Sequence, residues 1–148
     1  MKLIESINIS RRFLLITGCL MMVLFLSSCA ARKSAFMQST IVPAAEGNVK
    51  VKKDANNNYA IKIDVTNLAE PQKLVPEKNA YVVWIETAEY GVKNIGQIIT
   101  SNAFLSKKLK ASFETVTSFN PVKVFITAED DATLQYPTGV TVLSTNTI

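Results

Sequence analysis

Whatever chemistry this chain of 148 residues performs has to be done without histidine, because it contains none. That removes Ser-His-Asp and Cys-His nucleophiles and every imidazole metal site. Ser106 and Lys107 are adjacent, but they sit in a lysine run, KKLK at 107–110, that reads as a solvated strand edge and not as a nucleophile with its base. Glu129, Asp130 and Asp131 form the one acidic cluster. A Ca²⁺ ion takes about six to eight oxygens from ligands spaced along a loop, whereas three consecutive acids point in different directions, so a polar loop is expected. Glycoside hydrolysis needs two carboxylates facing each other across a cleft, and nothing in the spacing of Glu86, Glu89 and Glu129 brings any two together. Two loop tyrosines remain: Tyr90 at a turn and Tyr136 beside Pro137. They are the candidate ligand or partner contacts, as stacking rings or as lids over the core. The expectation is a non-enzymatic protein with no metal and no cofactor.

The front of the chain says where these residues work. Lys2, Arg11 and Arg12 precede an apolar run from Phe13 to Leu26, and the small residues Ser27 and Ser28 follow. Basic, apolar, small is the order of a secretory signal peptide. The apolar run is shorter than the roughly 18 residues of a membrane-spanning helix. Extended to Arg32 it is long enough to be an uncleaved anchor, but Ser-Ser-Cys-Ala-Ala is a composition that suits processing and does nothing for a helix end.

Leu26-Ser27-Ser28-Cys29 resembles the lipobox of bacterial lipoproteins, with a Leu three residues before the cysteine and two small residues between. The resemblance implies that the Cys29 thiol carries a diacylglyceryl group, that the signal is cut just before it, and that the new amino group gains a further acyl chain. Two or more chains make a durable anchor where one is marginal. Ala30, not Asp, follows the cysteine. In a host with two membranes this implies an outer-membrane lipoprotein facing the periplasm.

Processing changes the composition. The other cysteine, Cys19, leaves with the signal, so packing and not a disulfide must hold the exported domain. Losing Lys2, Arg11, Arg12 and Glu5 takes the chain from 16 basic and 12 acidic residues to 13 and 11. A nucleic-acid partner is not expected of so balanced a domain. Arg32 and Lys33 stand beside the anchor, where they would touch anionic headgroups or simply be solvated. Residues 29–44 read as a lipid-anchored tether, and 45–148 as one domain.

From there on the pattern has period two. Val49 and Val51 alternate with lysines; Asp54–Asn58 make a hairpin loop; Tyr59, Ile61, Ile63 and Val65 share a face. Pro71 and Pro76 mark a crossing loop. Tyr81–Ile85 is apolar on both faces, as a central strand is, and Trp84 in it fits a tryptophan packed between sheets. Ile95–Thr100 returns the chain after a turn at Glu89–Asn94. Leu109, Ala111 and Phe113, then Val122, Val124 and Ile126, then Val140 and Val142 complete the alternation. A helical turn near Ser101–Lys110 is conceivable. About seven short strands with turns between them predict an all-β fold, an antiparallel immunoglobulin-like β-sandwich.

AIKIDVTNLAEP, YVVWIETAEYGVKNIGQI, VKVFITAED and YPTG together resemble the extracytoplasmic C-terminal domain of anti-sigma-K-type anti-sigma factors. The residues that carry the likeness are Leu68, Pro71, Tyr81, Trp84, Gly91, Gly96, Glu129, Pro137, Thr138 and Gly139. Tyr136-Pro137-Thr138-Gly139 also has the residue order of a type I β-turn. The family's Gly-Gly pair is replaced by Asp130-Asp131-Ala132-Thr133, and only the signal segment precedes the sandwich here. The resemblance therefore implies a fold and a compartment, not sigma-factor binding. The functional expectation is a lipid-anchored envelope protein whose sandwich contacts another envelope protein; the alternative is a small carbohydrate- or ligand-binding module.

Overall fold

Alternation of apolar and polar side chains becomes strand pairing over most of the described residues. The computed structural model describes residues 31–102 and 109–148. Its strands are β1 (Arg32–Ala35), β2 (Glu46–Lys53), β3 (Tyr59–Thr66), β4 (Ala80–Thr87), β5 (Gly91–Ile98), β6 (Thr100–Asn102), β7 (Leu109–Thr117), β8 (Pro121–Glu129) and β9 (Val140–Ser144). They form two antiparallel sheets, ordered β1-β2-β3-β7-β6 and β5-β4-β8-β9. Leaving β1 aside, β2-β3-β7-β6 facing β5-β4-β8-β9 is the ABED and C′CFG arrangement of an immunoglobulin-like sandwich. The strand count is nine and not seven, the additions being β1 and the short β6. Among the described residues no helix is long and apolar enough to cross a membrane. The signal segment, Cys29 and the Ser106–Lys107 pair lie outside the described residues.

Local chemistry sets the turns. In the β2–β3 hairpin the Asp54 carboxylate accepts the backbone N–H groups of Asn56 and Asn58 at 2.8 and 2.9 Å, while Asn57 takes the left-handed conformation at φ +65°. The proline-rich crossing loop holds a single 3₁₀ turn at Pro71–Lys73 and buries Leu68 and Leu74. It carries the chain from one sheet to the other. Between the sheets lies one core: Val49, Val51, Ile61, Ile63 and Val65 from one side, and Tyr81, Val83, Ile85, Val124 and Ile126 from the other. As expected of a central strand, β4 is buried on both faces except at Glu86.

The described part of the segment read as a tether begins with a strand, Arg32–Ala35. β1 pairs in register with β2, Arg32 opposite Val51 and Ala35 opposite Asn48. Phe36 then bridges to Thr145, and the Met37 N–H donates to Ser144 O at 2.8 Å, so the first strand joins the edges of both sheets. Arg32 is not spread toward solvent. Its guanidinium donates to Asn120 Oδ1, Pro121 O and Ile148 O at 2.9, 3.2 and 3.3 Å, and lies 5.8 Å from the Tyr59 ring centroid. These groups are spread over distant parts of the sequence, which is why composition alone reads the segment as a linker. Arg32→Ala is expected to cost about 1–2 kcal/mol in a urea titration, since two of the bonds are part-buried and the exposed Asn120 partner can rehydrate.

A second difference is in β9. The register slips between Ile126 and Thr127, so that Val142 has no cross-strand partner of its own. This bulge buries Val142 and Leu143 side by side and leaves Val140 43% exposed, where strict alternation had put Val140 and Val142 together.

Candidate functional site

β8 runs outward from the core into the acidic cluster, and the three acids separate there. Glu129, its last residue, is fully buried. Its carboxylate accepts from Thr127 Oγ1 at 2.6 Å, Thr138 N at 3.1 Å, Thr138 Oγ1 at 2.8 Å and Gly139 N at 2.7 Å. Burial pushes its pKa up, but the bonds from Thr127, Gly139 and Thr138 outweigh it and hold the carboxyl below its ordinary value. Asp130 instead meets Lys78 Nζ at 2.8 Å. Asp131 accepts the N–H and hydroxyl of Thr133, both at 2.8 Å, which lowers its pKa. Three neighbouring carboxylates thus serve three separate sets of donors.

Nor do the acids pair across a cleft. Glu86, the one exposed residue of β4, stands opposite Lys123, whereas Glu129 stands opposite Ala80. Six residues along a strand separate those positions by about 20 Å. Glu89 lies farther still, in the β4–β5 turn.

Trp84 is not between the sheets. It alternates with Val83 and Ile85, which belong to the inter-sheet core, so its ring is on the opposite face of β4. There it stacks on Phe125 (centroids 6.4 Å apart), and its Nε1–H donates to Thr127 Oγ1 at 2.7 Å. Thr127 passes the bond on to Glu129. The ring is fully buried although no second sheet covers this face. Its cover is the β8–β9 loop, pinned by Asn94, the residue opposite Trp84 on β5: Asn94 Nδ2 donates to Leu134 O and Ala132 O at 2.8 and 3.0 Å. Asn94 Oδ1 also accepts Gly96 N–H at 2.9 Å, across the bulge between Val83 and Trp84.

The expected type I turn at Tyr136–Gly139 is therefore replaced. Gly139 N–H donates to the Glu129 carboxylate, not back to Tyr136. A side chain at 139 is excluded, because a Cβ there would run into the backbone carbonyl oxygen of Ala128. In this protein Trp84, Glu129, Thr138 and Gly139 are parts of one hydrogen-bonded clamp, with Leu68 and Tyr81 in the core. Sequence reading missed Asn94 and Thr127. The signal available for Thr127 was its place two residues before Glu129 on the same strand face; Asn94 carried none.

The two tyrosines sit in different settings. Tyr90 is 59% exposed and leans on Phe119 (centroids 5.3 Å apart) beside the end of the sandwich where Arg32 begins β1. Tyr136, 71% exposed, lines a shallow depression with Val92, Lys93, Asn94 and Gln135 along β5. A second depression, at the opposite end from Arg32, was not foreseen. It is lined by Gln72, Asn79, Gln97, Tyr81 and Thr100. The buried hydroxyls of Tyr81 and Thr100 have no hydrogen-bond partner among the described residues, and burial pushes Tyr81 up to about 12. No family model, curated protein or solved structure matches this chain.

Proposed function

We propose that this chain is an envelope lipoprotein, acylated on Cys29, whose immunoglobulin-like sandwich is a non-catalytic module that contacts another envelope protein. The observation that carries the reading is that the polar groups able to do chemistry are committed to holding the fold, Glu129 foremost, while Tyr136 stands exposed on a loop that the clamp holds rigid. A large, rigid aromatic ring on a fixed loop is the kind of residue that anchors protein interfaces. Tyr136→Ala is expected to leave the melting temperature unchanged and to reduce crosslinking to the partner in the native membrane at least several-fold. Equal crosslinking by both proteins would remove Tyr136 from the contact, and no crosslinked partner for either would count against the whole reading.

A second reading, the small-ligand module, is favoured by the depression that holds the unpartnered Tyr81 and Thr100 hydroxyls among side-chain amides. These hydroxyl and amide groups, with the one lining carboxylate, Glu70, already paired with Lys73 at 3.1 Å, suit a neutral, hydroxyl-rich ligand such as a sugar. Tyr81→Phe removes a desolvated hydroxyl and should hold or raise stability by up to about 1 kcal/mol. If sugars raise the melting temperature of the wild type but not of this variant, the second reading gains.

A further inference from the structure

We propose that the end of the sandwich where β1 begins rests on the anionic headgroup layer of the membrane, so that the domain stands on the bilayer and does not swing on a tether. The proposal rests on acylation of Cys29. Only Ala30 and Ala31 separate that cysteine from Arg32, the first residue of β1. Three extended residues span at most about 11 Å. Slack cannot be drawn from β1 cheaply, since Arg32 is tied to Asn120, Pro121 and Ile148 and the strand is paired along its length. A diacylglyceryl group on Cys29 therefore brings this end, and no other, to the depth of the headgroups.

What the end presents agrees with that position. The exposed Tyr90 ring, propped on Phe119, combines an apolar body with a polar tip, as residues at a membrane interface do. On the outer face of the larger sheet, Lys33 lies opposite Lys50, and Lys50 opposite Lys62, with Lys52 one step nearer the anchor. Of these, Lys62 is paired with Glu114 at 3.5 Å. Farther from the anchor the same face carries Asp64 and Glu46 against one lysine, Lys110, opposite Thr66. Charge thus changes sign along the strands, positive toward the anchor, and an anionic surface would hold the domain in one orientation. The acids at the near end are Asp54, whose carboxylate is already bonded to Asn56 and Asn58, and Glu89.

The test uses the full-length, processed protein in vesicles of phosphatidylethanolamine and phosphatidylglycerol. Mass analysis of the first mature peptide reports acylation. The Cys29 thiol is then blocked by its lipid and Cys19 is gone, so Glu89→Cys at the near end, or Glu77→Cys at the far end, supplies one free thiol for a nitroxide. Both positions are exposed. The expected result is a nitroxide at 89 shielded several-fold from a water-soluble relaxation agent relative to one at 77, with the contrast reduced by combining K33E, K50E and K52E. Equal access at 89 and 77 on acylated protein overturns the orientation and leaves the lipoprotein reading intact. A contrast that the charge reversals do not change overturns the role given to the lysine face. An unmodified Cys29 overturns both the orientation and the reading beneath it.

Discussion

Glu129→Ala lowers the stability of the sandwich by about 3–4 kcal/mol, the sum expected when one buried and three part-buried donors lose a charged acceptor together. The substitution strands Thr138 N–H, Gly139 N–H and two threonine hydroxyls around a buried space. Glu129→Gln is only partly better. An amide keeps one acceptor oxygen but turns an NH₂ toward groups that themselves donate, so a loss of about 2–3 kcal/mol is expected. Urea unfolding at neutral pH measures both, and a loss under about 1 kcal/mol for Glu129→Ala would show the clamp to be ornamental.

The same residue predicts a pH dependence. The folded pKa of Glu129 lies below its ordinary value, so in acid the unfolded chain takes up the proton first. Its contribution to stability is complete above the ordinary carboxyl pKa and is lost as pH falls through the lowered one. The stability gap between wild type and Glu129→Gln should narrow steadily below about pH 4. A gap constant from neutral pH into that range would contradict the ionised, hydrogen-bonded carboxylate.

Trp84→Ala is the other large loss, about 3–5 kcal/mol for deleting a buried tryptophan. Its location makes the prediction informative. If the ring belonged to the inter-sheet core, Trp84→Ala would loosen both sheets. On the outer face it should chiefly release the β8–β9 loop, because the ring is the floor on which Asn94 lays residues 132–134. Hydrogen exchange should therefore rise first at Thr138 and Gly139, with β3 and β7 protected until global unfolding. Trp84→Phe keeps an aromatic ring on Phe125 but deletes the donor to Thr127, and is expected to cost about 1–2 kcal/mol.

These residues also place the protein's rigidity and its exposed chemistry on the same element. The clamp from Trp84 through Thr127 and Glu129 ends at Gly139, three residues after Tyr136. A loop held this way offers its aromatic ring at little entropic cost on binding, which is what a contact residue needs. Tyr90, by contrast, belongs to the end where the chain emerges toward Cys29.

The amino-acid sequence by itself determined β2, β3, β7 and β8, because period two is a local property of the chain and each such strand has a face to bury, and β4, because a continuous apolar run marks a strand covered on both faces. It determined the Asp54–Asn58 hairpin for the same reason: one carboxylate reaches N–H groups two and four residues on. Tertiary structure alone decided the rest. Arg32–Ala35 has no pattern of its own and becomes a strand only because β2 offers it an edge and Asn120, Pro121 and Ile148 receive its guanidinium. The side-by-side burial of Val142 and Leu143 depends on the bulge in β9, where one inserted residue reverses the side chains that follow it, and the burial of Trp84 on the outer face depends on a loop folding back. Glu129 looked like surface acid because a buried carboxylate is tolerable only when donors far along the chain converge on it, and convergence cannot be read from neighbours in sequence.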